Sequence, residues 1–140
     1  MALDTVIFDM DGVLIDSEPF WEEAGSETLA EYGIDLTDEQ YSSTTGLRTK
    51  EWIDFWFTYF DIEKRFALTA EDMILKKAME KIQDHAQAMP GVEYIFEYFT
   101  DRNFDMGVAS SSPMELIDIV TEKLGIRKYL KALWGKKYGY

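Results

Sequence analysis

Three short apolar runs, rich in β-branched and aromatic residues, stand out along the chain at positions 5–10, 104–109 and 130–134. Runs of this length, bounded by turn-forming residues, are typical of buried strands. The first two runs are each followed by a polar segment, and apolar residues then recur at helical spacing. This order predicts strands of a parallel sheet that are joined by helical crossovers.

The segment between the first two predicted strands is helical in its periodicity throughout. Helices are predicted from Ser17 to Gly33, from Thr37 onward, over 49–60, and from a capping box at Thr69 to about residue 88. The third of these is apolar nearly all round, which indicates a helix between neighbours or beside a cleft.

Pro90-Gly91 marks the return from the helical segment to the α/β pattern. Helices are predicted after it over 92–101 and 114–124, and the residues 110–113 between strand and helix are predicted to form a loop. The predicted fold class is therefore α/β. It has a Rossmann-like parallel sheet core at 1–16 and 90–140, with an α-helical domain inserted at 17–89.

The composition narrows the possible partners and the location. The chain has a formal net charge of −13, so nucleic acid and anionic membranes are poor candidate partners. It contains no cysteine, and its N-terminus has no basic segment followed by a long apolar run. A soluble protein of a reducing compartment, the cytoplasm, is expected.

Two carboxylates follow the first predicted strand, Asp9 and Asp11, with Gly12 directly after them. A carboxylate can act as the nucleophile in phosphoryl transfer, and a second one can exchange protons with the leaving group and with water. The same oxygens suit Mg²⁺. Taken alone, the motif is equally well an acidic turn, because Asp and Gly are common turn formers.

Ser110, Ser111 and Ser112 follow the second predicted strand. Their hydroxyls and backbone amides can bind a phosphate near the start of a helix. Serines in this position are more often simple N-caps. In parallel sheets ligands bind at the carboxyl ends of the strands, and both polar segments are expected at such ends.

Three stretches together resemble one known family. Residues 8–19, Phe-Asp-Met-Asp-Gly-Val-Leu-Ile-Asp-Ser-Glu-Pro, are similar to the first motif of the haloacid dehalogenase-like hydrolases. Residues 107–113 are similar to that family's second motif, and Pro90-Gly91-Val92 to the segment that returns from its helical cap. The closest likeness is to the branch of sugar-phosphate phosphatases and β-phosphoglucomutase.

The resemblance implies roles for individual residues. Asp9 is expected to be the nucleophile and a Mg²⁺ ligand, and Asp11 the general acid/base with its backbone carbonyl on the metal. Ser110 is expected to hold the transferring phosphoryl group with the amide of Ser111. In the mutases a lysine or asparagine follows the serines of the second motif and binds the distal phosphate of the substrate. This chain has Pro113 and Met114 there, which favours a phosphatase.

The inserted domain corresponds by resemblance to the cap that selects substrates. Gly46 and Arg48 lie in the turn that resembles the cap's specificity loop, although an exposed surface arginine is an equal alternative for Arg48. The aromatic residues of 52–60 are expected to form the cap core rather than to stack on substrate. The lone His85 is expected on the solvated surface.

Two further motifs of the family have no counterpart in the sequence: a lysine that is usually followed by proline, and a late acidic pair. Lys136 and Lys137 are weak substitutes for that lysine. Its loss is costly, because like charges about 4 Å apart repel by roughly 4 kcal/mol at an effective dielectric near 20. The core is therefore expected to be incomplete, with an unpaired edge on the first strand that favours self-association.

These observations predict a Mg²⁺-dependent phosphomonoesterase that acts on a small phosphorylated metabolite, with a sugar phosphate favoured. The chain itself is expected to be a C-terminally truncated piece with impaired activity. The alternative is a catalytically inactive module of the same fold that binds a ligand or a protein partner.

Overall fold

The computed structural model describes residues 4–136, which form three strands and six α-helices. The strands are β1 (Thr5–Phe8), β2 (Asp105–Pro113) and β3 (Leu130–Lys136). The helices are α1 (Glu18–Glu31), α2 (Asp38–Ser43), α3 (Thr49–Tyr59), α4 (Ala67–His85), α5 (Val92–Asp101) and α6 (Met114–Lys123). Short 3₁₀ helices, Lys64–Phe66 and Arg127–Tyr129, precede α4 and β3.

The three strands form one parallel sheet in the order β1-β2-β3. Gly107 of β2 is aligned with Ile7 of β1 on one side and with Ala132 of β3 on the other. The helical segment and α5 connect β1 to β2, and α6 connects β2 to β3. The predicted α/β class with a Rossmann-like parallel sheet is confirmed.

Apolar side chains of β2, α5 and α6 form the core beside the sheet. The Phe8 ring of β1 stacks on Phe96 of α5 with centroids 4.8 Å apart, and meets Phe99 edge-on at 6.2 Å. Fully burying one such side chain stabilises a fold by about 1.5 to 3 kcal/mol. Phe96 is fully buried, and the other buried members of this core include Met106, Val108, Leu116, Ile117 and Val120.

The absence of a side chain at Gly135 lets β3 approach α6 and the end of β2. A Cβ built there would lie 2.5 Å from Ile117 Cδ1, 2.8 Å from Met114 Sδ and 3.0 Å from the Ser112 carbonyl oxygen. Contacts under 3.0 Å force something to move. The small residue therefore helps to fix the last residues of β2, which carry the candidate site.

The chain divides into two compact units. One holds the residues up to Glu18 together with those from Ile82 onward, and the other is the all-helical Pro19–Lys81. The two linking segments pair within the first unit: the Asp16 N–H donates to the Gln87 carbonyl and the Met89 N–H to the Leu14 carbonyl, both at 2.9 Å. This pairing joins residues 87–89 to residues 14–16 of the loop after β1. The sequence predicted the boundary of the inserted domain at residue 89.

The helical unit has its own core, and α3 contributes most of its aromatic residues. Trp52, Trp56 and Phe57 are buried, whereas Phe55 and Tyr59 on the same helix are about half exposed or more. Thr37 caps α2 as predicted: its side chain accepts the Gln40 N–H, and the Gln40 side chain accepts the Thr37 N–H. His85, at the end of α4, is exposed as expected.

The predicted boundaries of three elements are wrong. β1 ends at Phe8 rather than at residue 10, because Met10 turns inward and is fully buried in the following loop. α4 spans Ala67–His85 and does not reach residue 88, and because it begins at Ala67, Thr69 lies inside the helix and does not cap it. A 3₁₀ turn directly before Ala67 extends the helix backward.

The third error matters most for the site, because residues 110–113 belong to β2 and are not a loop. The strand runs on to Pro113, whose Cα pairs with Lys136 of β3, after a register shift that follows Ala109. Pairing with β3 therefore overrides the turn preference of a serine-rich segment. Within residues 4–136, none of the helices is both long enough and apolar enough to cross a bilayer.

Candidate active site

The predicted site residues of the sheet unit lie at the carboxyl ends of β1 and β2. Asp9 follows β1 directly, and Ser110 to Ser112 form the last part of β2. Phe8, the last residue of β1, pairs with Val108, and β2 continues beyond this pair to Pro113. The loop after β1 brings Asp11 within hydrogen-bonding distance of Ser17 and Ser112.

A compact loop after β1 fixes the two aspartates on either side of a buried residue. The Met10 side chain is fully buried, and its carbonyl oxygen accepts the backbone N–H groups of Val13 at 3.2 Å, Leu14 at 2.9 Å and Ile15 at 3.3 Å. These three bonds close the loop tightly on itself. Asp9 and Asp11 are therefore presented from a well-defined backbone.

The backbone conformation of this loop requires Gly12. Its φ is +74°, a conformation that L side chains rarely adopt. A Cβ at this position would also lie 2.8 Å from Oε1 of Glu18, the end of a flexible side chain that would have to shift. A glycine after the second aspartate is thus a backbone requirement of this loop.

The Asp9 carboxylate is exposed at the end of β1. Its Oδ1 accepts the Met10 N–H at 2.8 Å, which holds the side chain against its own backbone. For Oδ2, residues 4–136 supply no hydrogen bond. One carboxylate oxygen is thus oriented, while the other is accessible to an incoming electrophile.

Serine hydroxyls surround the carboxylate of Asp11. Ser17 donates to Oδ1 at 2.6 Å and Ser112 donates to Oδ2 at 2.7 Å, both good distances for O–H···O bonds. Ser110 lies farther away, with its Oγ 3.4 Å from the same Oδ2. The structure therefore brings Asp11 together with Ser110, and adds two serines to which the sequence gave other roles.

Ser110 and Ser111 differ in their surroundings. Ser110 is half-buried, and its Oγ accepts the Ser112 N–H at 3.0 Å. The Ser111 side chain is exposed. The reading of these serines as N-caps is wrong, because α6 begins at Met114 with Pro113 as its N-cap and without a side-chain cap.

The donor types at the loop fit Mg²⁺ in part. Asp9 and Asp11 provide hard carboxylate oxygens, and Mg²⁺ commonly takes one or two carboxylates and completes its shell with waters and substrate phosphate. In the stretch from 4 to 136, no three Asp, Glu, His or Cys side chains come together as a metal-holding group. The pair therefore fits a metal bound jointly with water and substrate.

Lys136, a weak substitute for the lysine of the family's third motif, is the last residue of β3. Lys136 is exposed, and its Cα pairs with Pro113 next to the serines of β2. It stands at the carboxyl end of β3, and the aspartate loop follows the carboxyl end of β1. Lys137 lies outside the described residues.

Gly46 and Arg48 belong to a turn in the helical unit, between α2 and α3. Gly46 has a φ of +93°, and Arg48 is exposed and precedes α3, where its N–H donates to Glu51 Oε2 at 3.1 Å. Within residues 4–136, the Arg48 guanidinium takes part in no ion pair. The turn therefore leaves a cation available in its own unit.

A buried threonine anchors this turn. Thr44 Oγ1 accepts the indole N–H of Trp52 at 3.0 Å and that of Trp56 at 3.3 Å. The same hydroxyl donates to the Tyr41 carbonyl at 3.1 Å. Burial, with a smaller effect from the charge of Glu22, raises the pKa of Tyr41 to about 12.

The sequence alone missed the roles of Ser17 and Ser112 as hydrogen-bond donors to Asp11. Ser17 was predicted to cap the first helix, and Ser112 was one of three equivalent serines. A usable signal was present for Ser112, because residues two apart on a strand share a face. Placing the serines in a strand would have grouped Ser110 with Ser112 and separated Ser111.

Two curated phosphatases are similar to this chain in sequence. The chain is 28% identical over 128 residues to hexitol phosphatase B of Escherichia coli K12, covering 91% of this chain and 58% of that protein. It is 23% identical over 131 residues to a phosphorylated carbohydrates phosphatase of Thermotoga maritima, covering 94% and 60% respectively. The chain thus spans about three fifths of the length of these relatives.

Solved structures share the fold. The crystal structure of a predicted phosphoglycolate phosphatase from Haemophilus somnus 129PT matches with a TM-score of 0.81 at 14% identity, over 95% of this chain and 62% of that one. A family model described as "Haloacid dehalogenase-like hydrolase" matches residues 6–138. The chain therefore belongs to the haloacid dehalogenase-like hydrolase family.

Proposed function

We propose that the protein is a Mg²⁺-dependent phosphatase acting on a small phosphorylated metabolite, with a sugar phosphate as the favoured class. The observation that carries this proposal is the exposed Asp9 directly after β1, two residues before an Asp11 that accepts hydrogen bonds from Ser17 and from Ser112 of β2. The names of the two curated relatives, a hexitol phosphatase and a phosphatase of phosphorylated carbohydrates, support the substrate class.

The proposed reaction has two half-reactions. In the first, an Asp9 carboxylate oxygen bonds to phosphorus while the bond to the leaving oxygen breaks, and protonated Asp11 gives its proton to that oxygen. In the second, Asp11 takes a proton from a water that attacks phosphorus. Inorganic phosphate leaves, and the Asp9 carboxylate and protonated Asp11 are restored.

The remaining residues of the site have supporting roles in this proposal. Ser110 holds an oxygen of the phosphoryl group, with the amide of Ser111 as a second donor. Asp9 and the backbone carbonyl of Asp11 would hold Mg²⁺, which when bound neutralises charge on the phosphoryl group. The accessible Oδ2 of Asp9 supports the nucleophile's role, because the oxygen that attacks must be free to approach phosphorus.

Substrate choice is proposed to involve the turn of the helical unit. Arg48 carries an exposed guanidinium, which can pair with a phosphate or with hydroxyls. Gly46 gives this turn its left-handed backbone. By the family's pattern, this unit would act as a cap that excludes water during the first half-reaction.

The test is turnover of p-nitrophenyl phosphate with Mg²⁺, by this chain and by Asp9→Asn. We expect the substitution to reduce the rate by several orders of magnitude, because the nucleophile is lost while the fold is kept. Circular dichroism and thermal unfolding serve as the control for folding. Equal rates from the two chains would contradict the aspartyl-phosphate mechanism.

A second candidate is a catalytically inactive module of the same fold that binds a ligand or a protein. One observation favours it: the part of the chain from 4 to 136 holds no group of three Asp, Glu, His or Cys side chains that could bind a metal. Tight Mg²⁺-dependent binding of inorganic phosphate without turnover would support this candidate. Equilibrium titration beside the turnover assay separates the two.

The cytoplasmic location and the exclusion of nucleic acid and membranes as partners stay predictions. They rest on the net charge of −13 and on the composition. Self-association through the open edge of β1 also stays a proposal.

A further inference from the structure

We propose that Ser112 is a positioning residue for Asp11, which fixes the orientation of the general acid/base from the end of β2. This inference rests on the proposed function, because it assigns Ser112 a task in the proton transfer of that reaction. It separates the serine that holds the acid/base from the serine that holds the phosphoryl group.

The distances distinguish Ser112 from Ser110. The Ser112 hydroxyl donates to Asp11 Oδ2 at 2.7 Å, within the optimum for an O–H···O bond. The Ser110 hydroxyl is 3.4 Å from the same oxygen, beyond the usual 2.5 to 3.0 Å range. The proton of Ser110 is therefore only weakly engaged by Asp11 and can be offered to a phosphoryl oxygen.

The burial and the backbone contacts of the two serines also differ, and they favour the same assignment of roles. Ser112 is only 7% exposed, whereas Ser110 is half-buried. Gly135 of β3 lies against the Ser112 carbonyl, and the Ser112 N–H donates to Ser110 Oγ at 3.0 Å. The Ser112 hydroxyl is thus held on a packed strand, whereas Ser110 faces a more open environment.

The two oxygens of the Asp11 carboxylate accept hydrogen bonds from two different parts of the fold. Ser17 reaches Oδ1 from the segment that leads into α1, and Ser112 reaches Oδ2 from β2. Proton transfer requires one carboxylate oxygen to face the leaving group at hydrogen-bond distance. A fixed donor on the sheet restricts rotation of the carboxylate and keeps its orientation defined relative to Asp9.

The test compares Ser112→Ala with Ser112→Thr, which keeps the hydroxyl, and with Ser42→Ala as an exposed serine of the helical unit. Two substrates are used: an alkyl phosphate, hexitol phosphate, whose leaving oxygen needs a proton, and p-nitrophenyl phosphate, whose leaving group does not. Formation of the phosphoenzyme is followed in single-turnover experiments with Mg²⁺.

We expect Ser112→Ala to slow cleavage of the alkyl phosphate about tenfold or more, a part of the 10²- to 10⁴-fold that general acid catalysis supplies. The p-nitrophenolate burst and the KM should change little, because phosphate binding is left to Ser110. Ser112→Thr should recover most of the rate, and Ser42→Ala should match the parent chain. An equal loss on both substrates, or no loss on either, would overturn the proposal.

Crystal structures of the parent chain and of Ser112→Ala decide the point independently of turnover. The proposal predicts that the Asp11 side chain changes rotamer while Asp9 and Ser110 stay in place. An Asp11 carboxylate in an unchanged position would refute the positioning role. Absence of turnover in the parent chain would instead count against the proposed function, and the two failures are thereby distinguished.

Discussion

Individual buried hydroxyls in this protein have opposite consequences for stability. Thr44 accepts two indole N–H groups and donates to a carbonyl, whereas Thr28 is fully buried and its Oγ1 finds no partner among the described residues. An unpaired buried polar group costs roughly 1 to 3 kcal/mol. The same substitution, Thr to Val, should therefore act in opposite directions at these two sites.

We predict that Thr44→Val lowers the free energy of unfolding by about 1 to 3 kcal/mol, because two buried indole donors lose their acceptor. Thr28→Val should leave that energy unchanged or raise it, because it removes an unpaired hydroxyl at nearly constant volume. Urea unfolding followed by circular dichroism measures both. Equal destabilisation by the two substitutions would contradict this assignment.

The sequence predicted which residues belong to the candidate site better than it predicted the hydrogen bonds between them. Asp9, Asp11 and Ser110 were selected from motifs, and the structure places them at the ends of β1 and β2. The Ser112 contact with Asp11 joins positions 101 apart in sequence. No local pattern encodes such a distance, so it appears only when the strands are paired.

At the scale of elements, hydrophobic periodicity predicted every helix and strand but misplaced some boundaries. α5 spans Val92–Asp101 as predicted, since Gly91 precedes it with a φ of +84° and its apolar residues mark one face. β2 was predicted to end at Ala109, because serines and proline usually leave strands. Its continuation to Pro113 depends on β3, a tertiary partner that local propensity does not include.

The start of α4 illustrates the same limit. Thr69 and Asp72 have the spacing of a capping box, but the helix already begins at Ala67 after a 3₁₀ turn. Thr37 and Gln40, with the same kind of spacing, do form a capping box at α2. The motif is therefore compatible with both a helix start and a helix interior, and the preceding residues decide between them.

At the scale of the whole molecule, β1 is an edge strand of the sheet, and its outer side has no strand partner among residues 4–136. Ile7 on this strand is 56% exposed. An open edge with an exposed apolar side chain is a template for pairing with another chain.

We predict that the chain self-associates and that Ile7→Lys weakens the association several-fold, because a charge on an edge strand opposes pairing. Val13→Lys is the matched control, since Val13 is 48% exposed but lies in the loop after β1. Sedimentation velocity over a range of concentrations measures the effect. A monomeric parent chain, or equal weakening by both substitutions, would contradict the role of the edge.

The central claim is that Asp9 is the nucleophile, and trapping its phosphorylated form tests that claim most directly. The chain and its Asp11→Asn variant are incubated with Mg²⁺ and a hexitol phosphate, treated with borohydride, and analysed by peptide mass spectrometry. Borohydride reduces an aspartyl phosphate to homoserine, so the account predicts homoserine at position 9 of the parent chain, and much less of it in the Asp11→Asn variant, because the leaving oxygen of the hexitol then receives no proton. Phosphate release by the parent chain without any homoserine at position 9 would contradict it.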